Sequence, residues 1–368
     1  MHRPEQTGSI KIIAIDMDGT LLGDDGEVSR RNLAALLSAE AAGVEIVVAT
    51  GRRHCYAMRV LRALGLHHAN TVISSNGTVT RTLGSFGANP IPSELIARTH
   101  LPHATALWLC GHLDEFRNAL VLTFDRVNPD GEDYRGALVV EHLDELNASI
   151  GRWMEANEPY IAYVKPIENA LSDDGSNRDA PIQAMLCGTI ERMARAEARL
   201  LEHPGVHASS QPSGRSGINS GSGAPSLSHL APSTPGAPSF PVSSERGESK
   251  TSALQSDPEP ILTLHRTEYP SRDLSILDIL PAGCSKGAAI LSLAASRGFD
   301  ATQILAIGDN WNDVSMLEIA GAAVLMDNAP EDLKALALAN GWRIGLSNRE
   351  DGVAEAIEVA LAAACEPA

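Results

Sequence analysis

The sequence predicts an α/β protein: a doubly wound parallel sheet with an α+β domain inserted into it. Three observations carry this prediction. Short, wholly apolar runs alternate with helix-length segments near both ends of the chain. The two ends share that grammar, although a long stretch of different character separates them. The apolar runs also end in polar or acidic residues, the pattern of open parallel sheets that bind ligands beyond their strand ends.

Each element follows from its residues. Ile12 to Ile15, after Ile10 and Lys11, is a continuous apolar run, as in a parallel strand covered on both faces. Ser29 is a good N-cap, Leu33, Leu36 and Leu37 are expected on one helical face, and Gly43 ends that helix. The second strand is VEIVVAT, Val44 to Thr50, followed by a helix from Arg53 to Leu64. TVISSNG, Thr71 to Gly77, is the third strand, and this β-α-β-α-β order requires right-handed crossovers. Towards the C-terminus come a helix from Ser285 to Arg297 and the strand QILAIGD, Gln303 to Asp309. A helix from Val314, a short strand at Ala322 to Met326 and a helix from Pro330 follow. The last helix, Gly352 to Ala364, carries Val353, Ile357 and Leu361 on one side.

The predicted catalytic core is therefore residues 1–80 and 275–368, and the insertion is 81–274. Within the insertion, ATALWLC, ALVLTFDR, YIAYVKPI and IQAMLCG read as β-rich pieces, and IERMARAEARLLEH as a charged helix. Residues from about 204 to 260 are dominated by Ser, Pro and Gly. Such a segment cannot bury enough apolar area to offset the entropy of ordering, so a disordered loop is expected there.

Composition narrows the function. Hydrophobic residues make up 43% and charged residues 20%, an ordinary globular balance. Lys plus Arg number 29 against 46 Asp plus Glu, a formal charge of -17. Such a field repels nucleic acid and anionic lipid, so neither is an expected partner, and any bound phosphate needs local groups or a cation to hold it. The five cysteines show no C-x-x-C and read as reduced thiols. The start, MHRPEQTGSIK, lacks a signal-like apolar core, and no run approaches the ~18 apolar residues of a membrane helix, so a cytoplasmic location is expected.

The strand ends carry the chemistry. Asp16 and Asp18 follow the first strand, Thr50-Gly51-Arg52 the second, Asn76-Gly77 the third and Asp309 the strand ILAIG, while GDNWND sets Asp313 at the next helix start. Four carboxylates on one rim repel unless a cation sits among them, and Mg²⁺ prefers such hard oxygen ligands. An aspartate can attack phosphorus and form an aspartyl-phosphate. A neighbouring carboxyl can protonate the leaving oxygen and later deprotonate water. The Thr50 hydroxyl and nearby N–H groups can hold phosphate oxygens. Lys286, in GCSKGAAI, stands at a helix start where an anion is also favoured. Taken singly, Thr50 and Asp313 would be ordinary helix caps and Lys286 a solvated lysine. Arg52 reads as part of a solvated helix start, with guidance of a substrate phosphate as the alternative; Arg53 and His54 are given no role.

DMDGTLL, VVATGRR, CSKG and GDNWND, in this order, resemble the four motifs of the haloacid dehalogenase superfamily of phosphatases. TVISSNG and the position of the insertion resemble its Cof-type subgroup, which has a large type-2 cap. The resemblance spans the core and is weaker in the cap. It implies a Rossmann-like core in which Asp16 is the nucleophile and Asp18 the general acid/base. It implies Mg²⁺ held by Asp16, the backbone carbonyl of Asp18 and Asp309. Thr50, Gly51, Lys286 and Asn312 would contact the phosphoryl group, Asp313 would support the metal or Lys286, and Asn76 would border the site. Gly19 and Thr20 would shape the turn after the nucleophile. An acid at position 18 fits ester hydrolysis; ion-pump relatives carry Thr there, and phosphonate-cleaving ones Ala. The implied reaction is Mg²⁺-dependent hydrolysis of a small phosphate monoester, a sugar phosphate or phosphorylated cofactor. A sugar phosphotransferase or mutase on the same core, and a non-catalytic phosphate-sensing or partner-binding protein, are the alternatives.

Overall fold

A computed structural model of the protein describes residues 9–85, 91–128, 131–171, 180–208 and 259–363. The Ser/Pro/Gly-rich loop expected at 204–260 therefore lies, from 209 to 258, outside the described residues, as does Cys365. In chain order the first elements are β1 (Ile12–Asp16), α1 (Arg30–Ala41), β2 (Glu45–Ala49), α2 (His54–Leu61), β3 (Thr71–Ser74), β4 (Val79–Thr82) and β5 (Leu95–Arg98). Next come α3 (His103–His112), β6 (Leu120–Phe124), β7 (Leu138–Val140), α4 (Asp144–Asn157), β8 (Ile161–Tyr163), β9 (Pro181–Gly188) and α5 (Ile190–Leu200). They are followed by β10 (Val206–Ala208), β11 (Leu262–Tyr269) and β12 (Leu274–Pro281). The chain then returns through α6 (Lys286–Ser296), β13 (Ile304–Gly308), α7 (Val314–Ile319), β14 (Ala322–Leu325), α8 (Glu331–Asn340), β15 (Arg343–Ile344) and α9 (Gly352–Ala363).

Two sheets result. The larger has the order β15-β14-β13-β1-β2-β3-β4-β5. Its strands from β15 to β3 are parallel, and alternate residues face two helical layers. Ile13 and Ile15 of β1 pack in one core with Leu36 of α1, Met58 of α2 and Ile357 of α9. Ile12 and Ala14 pack in the other with Ile290 of α6, Leu317 of α7 and Leu333 of α8. This is the doubly wound arrangement, which explains why the central strands are apolar throughout. Parallel register also brings the ends of β1, β2, β3, β13 and β14 to one rim, with Asp16 beside Ala49 and Gly308 beside Leu325.

The sheet departs from all-parallel at one edge. Ser75 and Asn76 adopt left-handed φ angles of 50° and 53°, and Gly77 one of 101°. The chain thus reverses at once into β4, because so short a link cannot make a parallel crossover. A Cβ on Gly77 would lie 2.2 Å from the carbonyl oxygen of Ser285, so only glycine lets this turn seat against the start of α6.

The smaller sheet has the order β10-β11-β12-β9-β6-β7-β8 and is mostly antiparallel. Leu109 of α3 and Met193 and Leu200 of α5 share a core with Leu122, Leu186 and Leu277 from one face of it. Leu146 and Met154 of α4 pack with Val121 and Cys187 from the other. This α+β unit is inserted between β5 and α6, giving a parallel α/β core with an inserted cap.

Four local expectations are corrected. ATALWLC lies in helix α3 and is not a strand: Ala106, Leu109 and Cys110 fall at helical spacing and are all buried. A short apolar run has no periodicity that separates the two. Leu37 of α1 is 39% exposed, and the buried face is Asn32, Ala35, Leu36 and Ala39. Asn32 sets that face by accepting the Ala354 N–H of α9 at 2.9 Å. Helix α2 stops at Leu61, short of Leu64. Val206 to Ala208, expected to begin the loop, forms β10 on the edge of the cap sheet. Ser29 does cap α1, accepting the Asn32 N–H. The described cysteines are free and buried, and no described helix is long and apolar enough to cross a membrane.

Candidate active site

Lys286 is the centre of the rim. It begins α6 directly after Ser285, whose side chain caps the helix by accepting the Ala288 N–H. Its ammonium is buried and donates to Asp16 Oδ1 at 2.5 Å and to Asp313 Oδ1 at 2.6 Å. Asp313 uses its other oxygen to accept the backbone N–H groups of Asp309 and Asn310, each at 3.0 Å. Both oxygens of Asp313 are therefore engaged in fixing Lys286 and the turn after β13. Asp309 accepts from the Thr20 hydroxyl at 2.7 Å. Residues 16 and 309 thus converge as expected of strand ends, and 286 and 313 join them from helix starts.

Electrostatics make this cluster incomplete. Asp16, Asp309 and Asp313 are buried, with carboxylate oxygens within 4.8 Å of one another. One ammonium faces three carboxylates, leaving two negative charges in excess. Burial raises Asp16 well above the usual carboxylate range, and Asp313 adds to the rise while Lys286 opposes it. Asp309 is pushed up to about 7 by burial and by the nearby Asp313, against the Thr20 hydrogen bond. Burial alone would lower Lys286, but Asp16 and Asp313 hold it above its ordinary value. Carboxylates kept this close in a low dielectric favour either protons or a hard cation. The all-oxygen donor set fits a divalent cation such as Mg²⁺; Asp313 has both oxygens engaged by Lys286 and backbone N–H groups, which leaves Asp16, through its second oxygen, and Asp309 as the candidate ligands. Gly19 (φ 78°) belongs to the same geometry, since a Cβ there would lie 2.4 Å from Asp309 Oδ2.

Asp18 points elsewhere. Its carboxylate forms an ion pair with Arg52, whose guanidinium also stacks over Tyr56 at 4.6 Å. Asp16, Asp18, Gly51, Asn76 and Asn312 all line one cavity of about 420 Å³ between the core rim and the cap sheet. Thr50 is fully buried and does not line it; its Oγ1 accepts the Arg52 N–H at 3.1 Å, which shapes the loop that Gly51 occupies. Asn76 lies beside Gly51 and donates to Asp278 Oδ2 at 3.1 Å.

Arg52, read as part of a solvated helix start, is half-buried and paired with Asp18, and Arg53 and His54, given no role from the sequence, are covered. Arg53 is buried, ion-paired to Asp133 and hydrogen-bonded to Asn157 of the cap; His54 is buried beside it. The cap covers this helix start, which sequence spacing does not reveal. Asn328 was missed too: it donates to the Gly19 carbonyl at 2.8 Å and lies 3.4 Å from Asp309 Oδ2. Its position just past β14, in MDNAP, is the signal that strand-end logic offers. Asp278 and Gln183 on the cap wall carried no recognisable motif.

Comparison with known proteins gives the family and the fold. The profile of the haloacid dehalogenase-like hydrolases matches residues 13–114 and 249–357. The chain is 26% identical to the 5-amino-6-(5-phospho-D-ribitylamino)uracil phosphatase YwtE of Bacillus subtilis, over 96% of this chain and 98% of that protein. It is 27% identical to the phosphatase YwpJ of the same organism, over 94% and 98% of the two chains. A solved haloacid dehalogenase-like hydrolase from B. subtilis superposes with a TM-score of 0.63 at 22% identity, covering 95% of this chain and 99% of that one, a likeness of fold. The lysine-bridged aspartates at the strand rim, the inserted cap and the family match lead to one conclusion: this chain belongs to the haloacid dehalogenase-like hydrolases, as a phosphatase of the Cof-type branch.

Proposed function

We propose that the enzyme hydrolyses a small, soluble phosphate monoester through a phosphorylated Asp16. The observation that carries this is the Lys286 bridge, which holds Asp16 Oδ1 at 2.5 Å on the wall of the shared cavity. In the first displacement an Asp16 oxygen attacks phosphorus, the bond to the leaving oxygen breaks, and the Asp18 carboxyl gives that oxygen a proton. In the second, Asp18 takes a proton from water as its oxygen attacks the same phosphorus; Asp16 is released and phosphate leaves. Lys286 neutralises charge on Asp16 and the transferring group, and Gly51 and Asn312 border the phosphoryl oxygens with Thr50 shaping the loop. Asp16, the Asp18 carbonyl and Asp309 would hold Mg²⁺, with Asp313 fixing Lys286 beside them. The cation supplies charge neutralisation on the phosphoryl oxygens when bound. The parallel core carries this chemistry, and the cap, inserted between β5 and α6 rather than over 81–274, limits the substrate to a size that the cavity admits. A relative named for a ribitylaminouracil phosphate supports a small phosphorylated metabolite as the substrate class.

The test is phosphate release across sugar phosphates, nucleotides, flavin mononucleotide and pyridoxal phosphate, with Mg²⁺ or with chelator, followed by acid quench and peptide mapping. Mg²⁺-dependent release and a trapped phosphoryl group on Asp16 are expected. No release from any ester, or label on another residue, rejects the proposal.

A further inference from the structure

We infer that Asp278 and Gln183, together with Asn76, form a subsite for a hydrogen-bond-donating group, hydroxyl or ammonium, on the leaving-group side of the substrate. This rests on the phosphatase reading and specifies the substrate for the same site.

The strands themselves set the problem. Strand β12, LSILDILP, and strand β9, PIQAMLCG, are apolar sequences interrupted by Asp278 and Gln183 respectively. Asp278 pairs in register with Met185, two residues from Gln183, so all three project from one face of the cap sheet, and all three line the cavity. Placing a carboxylate and an amide there costs desolvation unless something answers their hydrogen-bonding capacity. What the protein supplies is partial. Asn76 Nδ2 donates to one Asp278 oxygen at 3.1 Å and Gln183 Nε2 to the other at 3.4 Å.

Both amides turn their N–H groups towards Asp278, whose oxygens accept. Among the described residues, that orientation leaves Asn76 Oδ1 and Gln183 Oε1 buried without a donor, on residues only 2% and 5% exposed. The nearby cations are already engaged: Lys286 with Asp16 and Asp313, Arg52 with Asp18. The patch formed by Asp278, Gln183 and Asn76 therefore presents acceptor oxygens that the described residues leave unanswered. A phosphate, itself an acceptor, gains nothing there; the rest of the ester can. Burial lifts Asp278 to about 7, against the opposing Asn76 hydrogen bond and Lys286 charge, and an arriving donor offsets that desolvation. Trp153 and Tyr269 line the same cavity and give the donor group an apolar flank.

The experiment compares kcat/KM for three alkyl esters with Mg²⁺. Ribitol 5-phosphate presents hydroxyls, pyridoxamine 5′-phosphate presents an ammonium, and n-butyl phosphate presents no donor. Wild type is expected to favour at least one donor ester over n-butyl phosphate. Asp278→Asn should reduce that preference about 10- to 100-fold, mainly through KM. Gln183→Met, which keeps side-chain volume, should reduce it in the same direction. A larger fall for the pyridoxamine ester in Asp278→Asn assigns the ammonium; equal falls in the two variants for the ribitol ester assign the hydroxyl. No wild-type preference, or a preference that both variants retain within about twofold, overturns the subsite. Absence of Mg²⁺-dependent turnover of all three esters, and of the wider panel above, rejects the phosphatase reading itself and the subsite with it.

Discussion

Asn328 donates its side-chain N–H to the carbonyl oxygen of Gly19 at 2.8 Å, tying the loop after β14 to the turn after β1. The same amide lies 3.4 Å from Asp309 Oδ2, and its own oxygen accepts the Asn348 N–H at 2.9 Å. Asn328 therefore orients both a candidate metal carboxylate and the turn that bears Asp18. Replacing it with Ala should weaken Mg²⁺ activation by roughly 10-fold, since removal of such supporting hydrogen bonds typically costs that much metal affinity. Activity titrated against Mg²⁺ checks this; an unshifted half-activation point counts against it.

Asp16→Asn should lower kcat by more than ~10³-fold, because the amide cannot be phosphorylated as the carboxylate is. The protein should stay folded. One of three clustered buried carboxylates is neutralised while Lys286 keeps Asp313, so the melting temperature in chelator should hold or rise. Parallel kinetics and thermal melts decide. Turnover near wild type would exclude Asp16 as the nucleophile.

Lys286→Met leaves Asp16 and Asp313 buried without their shared cation. Breaking a buried pair by removing one partner costs about 3–5 kcal/mol, and that loss should appear in urea unfolding monitored in chelator. Mg²⁺ should recover part of it. A variant as stable as wild type would mean the carboxylates take up protons at little cost.

His54 makes stability pH-dependent at a distance from the carboxylate cluster. Among the described residues neither ring nitrogen has a hydrogen-bond partner, and burial, reinforced by Arg81 and Arg62 against Asp125, depresses its pKa to about 3. A base with a depressed folded pKa contributes stability above its unfolded value of about 6.5, lost as pH falls towards about 3. Between pH 6.5 and 5 that loss amounts to about 2 kcal/mol. His54→Leu should flatten this limb in denaturant titrations at stepped pH. An equally steep limb in the variant would assign the dependence to other groups.

Much of the core was legible because its signals are local. A parallel strand buried on both faces must be apolar throughout, as β1 and β13 are, and Ser29 and Ser285 announce the helices that they cap. Asp16 and Asp309 share a rim because strand ends of a parallel sheet do, whereas Lys286 reaches that rim from a helix start that follows a cap strand. The cap was harder. ATALWLC fits a strand or a helix equally well by composition, and packing of Ala106, Leu109 and Cys110 chose the helix. Arg53 has no role legible in the sequence, and Asp133 and Asn157, distant along the chain, close over it.

The sequence by itself determined the topology of the core, the order of its motifs and the supply of acids at the strand ends and one lysine at a helix start. These depend on periodicity, turn residues and residue type, which act within a few positions along the chain. Only the tertiary structure decided that Asp18 pairs with Arg52, that Arg53 pairs with Asp133 and that Asp278 accepts from two amides. Charge pairing and desolvation depend on distance in space, and no local pattern encodes a contact between residues 53 and 133.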